Sequence, residues 1–106
     1  FDIENAVLKN ENVAQCEVVG LTREGYSVPV AHMILEENCT VPENEIIEAV
    51  HRKCLEELEE DEIPCGYKIC KSFPVKRSGK RDMELIKQDR EGFWIPSENG
   101  VKSISF

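Results

Sequence analysis

The chain has 106 residues, 41% of them apolar and 32% charged, with a net charge of -8; that length buries one modest core and leaves no room for a second. An acidic balance of this size excludes a nucleic-acid or anionic-membrane surface spread over the whole molecule, because the average field repels phosphate, so any anion site has to be local. The longest apolar run, residues 28–35, is far shorter than the ~20 residues of a bilayer span, no basic-then-apolar leader opens the chain, and five cysteines without tight pairing read as reduced thiols of a cytoplasmic protein.

Ile3, Ala6 and Val7 fall on one side at helical spacing with Asp2, Glu4 and Lys9 opposite, which predicts a helix over residues 2–10 ended by Asn10 and Asn12. The chain opens at Phe1 inside this amphipathic stretch with no capping residue ahead of it, so a piece of a longer polypeptide is expected. Residues 13–21 are β-branched and small, and Gly20 with the 22–27 cluster punctuates them as a turn before a second strand over 28–36, where Pro29 suits a strand opening or an edge. Thr40, Pro42 and Glu43 supply a hydroxyl cap, a proline near the first helical position and an acidic first turn. The helix that follows runs to about Glu60, with Ile46, Ile47, Val50, Cys54, Leu55 and Leu58 recurring at threes and fours as its apolar stripe.

Pro64 and Gly66 stop that helix, and 67–73 alternates as a third strand with Tyr67, Ile69 and Phe73 on one face. A polar, basic loop spans 74–80, and 82–88 reads as a short helix with Met83 and Ile86 inward. The tail, 89–106, is expected to dock through Phe93, Trp94 and Ile95. The order implies an α+β domain, a small, mainly antiparallel three-stranded sheet covered by helices.

The strongest chemical signal is Lys76-Arg77-Ser78-Gly79-Lys80-Arg81, four positive charges in six residues of an acidic chain. Gly79 permits a left-handed or closely approaching backbone, and Lys80 offers a compact ammonium on a long stem, suited to a carboxylate or phosphate. From charge alone, a solvated basic turn is the commoner meaning of such a run, with an anion site as the alternative. His51, Cys54, Cys65 and Cys70 can be drawn as a zinc set, but the spacing is loose and Cys54 already belongs to the apolar stripe, so core thiols are expected and no metal site. His32, inside an apolar strand, reads as a half-exposed or hydrogen-bonded structural residue rather than a ligand.

Residues 13–20, Val-Ala-Gln-Cys-Glu-Val-Val-Gly, resemble the strand ending in Val-Val-Gly found early in the C-terminal domain of acyl-adenylate-forming enzymes: acyl-CoA synthetases, non-ribosomal peptide synthetase adenylation domains and luciferases. Val28-Pro29-Val30-Ala31 looks like that family's second strand, Ile63-Pro64 is similar to its proline ahead of the next strand, and Phe73-Pro74-Val75-Lys76-Arg77-Ser78-Gly79-Lys80 is similar to its Leu-Pro-x-Thr-x-Ser-Gly-Lys loop. Lys76 stands where a threonine is common and Arg81 where an aliphatic residue is common. The resemblance covers residues 1–88 and implies a C-terminal domain whose partner is a large N-terminal domain that binds most of the ATP and Mg2+. It implies a carboxylic acid activated as its adenylate, then passed to coenzyme A or to the phosphopantetheine arm of a carrier protein. Lys80 is the implied catalytic residue, Ser78 and Gly79 shape its loop, and Lys76, Arg77 and Arg81 are weaker anion contacts. The isolated chain is then expected to be inactive. The competing readings are a stand-alone module that binds anions or proteins through the 76–81 loop, and an accessory domain with no part in catalysis.

Overall fold

The computed structural model describes residues 2–97 and 100–104. The expectations attached to Phe1 and to residues 98, 99, 105 and 106 of the tail lie outside the described residues. A first helix, α1 (Asp2–Leu8), tucks Ala6 and Val7 into the core. The chain then makes a long hairpin of β1 (Val13–Arg23) and β2 (Tyr26–Leu35), interrupted near its start by an irregularity between Val13 and Gln15. Its turn is only two residues, Glu24 and Gly25, both at positive φ (52° and 83°), and Arg23 pairs directly with Tyr26. Two consecutive left-handed residues twist the backbone in the sense the flanking strands need, so the turn expected within 22–27 is confined to residues 24 and 25.

The second helix, α2 (Glu43–Glu57), starts at Pro42, whose carbonyl accepts from the amides of Glu45 and Ile46. Thr40 does not cap it; no side chain does. Ile46, Ile47, Val50 and Cys54 are buried on its sheet-facing side, and full burial of each large aliphatic side chain contributes about 1.5–3 kcal/mol. Leu55, expected in this stripe, is 55% exposed. Leu58 lies beyond the helix in extended backbone and packs on the core from there. A short 3-10 turn (Glu60–Glu62) leads to β3 (Gly66–Cys70), α3 (Met83–Gln88), β4 (Phe93–Ser97) and β5 (Gly100–Ile104).

The described strands form one mixed sheet in the order β1-β2-β3-β4-β5, which corrects the expectation of three mainly antiparallel strands. β3 runs parallel to β2, with Ala31 opposite Tyr67 and Met33 opposite Ile69, because α2 carries the chain back across one face before the next strand begins. β4 pairs antiparallel with β3 at Tyr67 and Trp94, and β5 pairs with β4 along its length, so residues 93–97 and 100–104 extend the sheet. The alternation of strand side chains sorts the core into two clusters. Under α1 and α2 lie Cys16, Ala31, Met33 and Tyr67 with the helix residues. On the opposite face, Val19, Leu21, Val30 and Phe93 meet Ile86 of α3. Phe73 belongs to this second cluster and not with Tyr67 and Ile69, because β3 ends at Cys70 and the alternation ends with it. No helix among the described residues is long and apolar enough to cross a membrane.

Candidate functional site

The basic segment leaves β3 through Phe73 and Pro74 and folds into a miniature hairpin. Val75 and Arg81 form an antiparallel bridge. The Lys76 amide donates to the Lys80 carbonyl at 2.7 Å, the Gly79 amide to the Lys76 carbonyl at 2.9 Å, and the Asp82 amide to the Pro74 carbonyl at 2.8 Å. Gly79 has φ 87°. A tight turn followed by one left-handed residue is the usual three-residue hairpin loop, and glycine is there for its dihedral, since a Cβ at this position would meet nothing within 4 Å. Asp82 then caps α3 by accepting from the Leu85 amide at 3.2 Å. Hydrogen bonds on both sides make this an ordered finger.

Lys76, Arg77, Ser78, Gly79 and Lys80 are all exposed at its tip. Lys80 makes no ion pair or side-chain hydrogen bond with any described residue, and neither do Lys76 and Arg77. Three cationic side chains therefore stand unneutralised around one turn of a chain whose net charge is -8. Arg81 is disposed differently. Its two terminal nitrogens donate to Glu17 Oε2 and Gln15 Oε1, each at 2.5 Å, and its guanidinium carbon sits 4.9 Å from the Phe73 ring centroid. Gln15 and Glu17 were not singled out in the sequence; two polar residues at a spacing of two in an otherwise apolar strand are the signal that marks them.

The histidines and cysteines do not converge. Among the described residues no group of three or more His, Cys, Asp or Glu side chains is arranged to hold a metal ion. His51 Nδ1 lies 2.9 Å from the Tyr67 hydroxyl, at the edge of the core under α2. Burial lowers the His51 pKa and raises those of Tyr67 and Cys54, while Cys16 is pushed up to about 12 by burial with Glu4 and Glu17 nearby. These thiols are protonated core groups. All five cysteines are free. His32, expected to be half-exposed or hydrogen-bonded, is 1% exposed, so the second alternative describes it. Its Nδ1 is 3.9 Å from Cys70 Sγ, its ring meets Phe93 edge to face, and its Nε2 has no hydrogen-bond partner among the described residues. Beside it, Lys68 pairs with Asp89.

The profile of the AMP-binding enzyme C-terminal domain matches residues 2–80, from α1 to the lysine at the tip of the finger. No curated protein gives a match. Among solved structures the chain is similar to a Brucella canis acyl-CoA synthetase, at 25% identity and TM-score 0.69 over 83% of this chain. It is also similar to the anthranilate CoA ligase AuaEII in complex with anthranoyl-AMP (20% identity, TM-score 0.70, 81% of this chain) and to the amide bond synthetase McbA from Marinactinospora thermotolerans (18%, 0.67, 81%). The chain spans only 16% to 17% of the length of these structures. With a family profile matched over most of its length and the same fold in these relatives, the chain belongs to the AMP-binding enzyme C-terminal domain family.

Proposed function

We propose that this chain is the mobile C-terminal domain of an ATP-dependent acyl-activating ligase, and that Lys80 is its catalytic residue. In this reading the enzyme joins a carboxylic acid to ATP as an acyl-adenylate, releasing pyrophosphate, and then passes the acyl group to a thiol of coenzyme A or of a carrier-protein arm. ATP and Mg2+ are bound mainly by the N-terminal domain, which is the partner of this one. Five free cysteines suit a cytoplasmic enzyme.

The observation that carries the reading is a lysine with no partner among the described residues, exposed at the tip of an ordered cationic finger. A strand exit, a left-handed glycine and a capped helix hold the backbone on either side, so only the side chain of Lys80 remains to be ordered. Its ammonium is a point charge that can bridge a carboxylate and a phosphate oxygen, holding two anions in reacting distance and stabilising charge that builds at the α-phosphorus. In open water that interaction is weak; closure of the finger onto a neighbouring domain lowers the local dielectric and strengthens it. The chain alone is therefore inactive. Lys76 and Arg77 add long-range attraction for the same anions.

The test uses the polypeptide in which this chain is joined to its N-terminal domain. Lys80→Ala and Lys80→Gln are expected to lower carboxylate-dependent pyrophosphate exchange on the order of a hundredfold or more, while transfer from a synthetic acyl-adenylate to the thiol persists. Undiminished exchange in Lys80→Ala overturns the assignment and leaves a binding or accessory role for the finger.

A further inference from the structure

The residue next to Lys80 is the one cation of the basic run that does not face solvent unpaired. Arg81 reaches across to β1 and divides its fork between Glu17 and Gln15, two positions apart on the same face of that strand, while its guanidinium lies over the Phe73 ring. The Glu17 side chain is 16% exposed and that of Arg81 38%. A carboxylate so nearly covered holds its place only with a charged partner.

The finger's own hydrogen bonds make residues 74–82 stiff as a unit, yet apart from the Arg81 side chain the unit is held through its two stems. Nothing in its internal bonding stops it swinging about Phe73 and Met83. Arg81 ties it to β1. Successive side chains in extended backbone point to opposite sides, so with Arg81 drawn down onto Gln15 and Glu17, Lys80 is turned outward. We propose that Arg81, clamped by Glu17, Gln15 and Phe73, is the positioning residue that sets the direction in which Lys80 is presented. The catalytic half of this proposal rests on the reading of Lys80 given above; the clamp itself does not. Lysine cannot substitute, because a point charge on a single nitrogen cannot span both acceptors while also keeping a planar cation over an aromatic ring.

Two measurements test it. On the 106-residue chain, hydrogen exchange of the Lys76 and Gly79 amides is expected to speed up at least tenfold in Arg81→Met and Arg81→Lys, with the amides of paired β1 and β2 residues such as Val18 and Ala31 still protected. Unchanged exchange in the finger overturns the clamp, whatever the catalytic result. Glu17→Gln, which keeps a hydrogen-bond acceptor and loses the charge, is expected to give an intermediate acceleration and serves if Arg81→Met fails to fold.

In the joined polypeptide, Arg81→Met is expected to lower kcat for pyrophosphate exchange on the order of ten- to a hundredfold with little change in KM for the acid, as a misplaced group does. In a Lys80→Ala background the same substitution is expected to cost nothing more. If it lowers the residual rate by its full factor there, Arg81 acts independently of Lys80 and the positioning role is overturned. If Lys80→Ala has no effect while the finger loosens in Arg81→Met, the catalytic reading fails and the clamp stands.

Discussion

Acidification from pH 7 to pH 5 is expected to destabilise the chain through His32, a group outside the finger. The imidazole is held between β2 and Phe93 with 1% of its surface exposed. Burial lowers its pKa from 6.5 to about 4; Asp89 and Glu17 favour the protonated form, Lys68 opposes it, and Cys70 faces Nδ1. The unfolded chain takes up a proton near pH 6.5 and the folded chain resists until about pH 4, so stability is complete above 6.5 and lost as the pH falls through that window. The full shift corresponds to about 3 kcal/mol, of which about 2 kcal/mol is lost between pH 7 and pH 5. That is a large share of the stability of a small domain.

Urea unfolding at half-unit pH steps reads the loss as a falling midpoint at constant slope. His32→Leu, which cannot titrate, is expected to flatten the profile over this range. Because burial also depresses the His51 pKa and adds a loss of the same sign, both proteins carry His51→Gln. Ring resonances of His32 that titrate near 6.5, or profiles that run parallel between pH 7 and pH 5 with and without His32→Leu in the His51→Gln background, would refute the reasoning.

Gly79→Ala is expected to cost about 1–2 kcal/mol at the finger, entirely from placing a Cβ in left-handed backbone, and Gly79→Asn less; urea midpoints and the Lys76 amide exchange rate check both. Tyr67→Phe removes the hydroxyl bonded to His51 Nδ1 and should cost about 1–2 kcal/mol, visible as a lower thermal midpoint with unchanged far-ultraviolet circular dichroism. Phe93 is fully buried against Val19, Leu21, Val30 and Ile86, so Phe93→Ala should cost about 3–5 kcal/mol by urea unfolding. A cost below 1 kcal/mol would mean that residues beyond 88 are dispensable to the core.

The apolar periodicity after Pro42 and the β-branched and apolar runs of 13–21 and 28–36 parted by a turn are local patterns; the helix and hairpin they predict are observed, the helix ending at Glu57 rather than near Glu60. The left-handed Gly79 and the short helix after the loop were legible for the same reason; the hairpin bridged at Val75 and Arg81 and the Asp82 cap were seen only in the structure. Leu55 was misplaced because the stripe on α2 is only as wide as the sheet beneath it, and periodicity does not report that width. Phe73 was assigned to the wrong face because counting by twos holds only while the strand lasts.

Sequence alone determined the helices, the hairpin, the family resemblance and the position of Lys80 on a basic turn, since each depends on residues close together along the chain. Only the tertiary structure decided that β3 lies parallel to β2, that residues 93–97 and 100–104 extend the sheet, and that Arg81 is spent on Gln15 and Glu17 while Lys80 pairs with no described residue. Those outcomes pair groups as far apart as 66 positions in the chain. Strand direction, strand neighbours and charge partners are selected by which surfaces meet when the core closes, and local propensity carries no record of that choice.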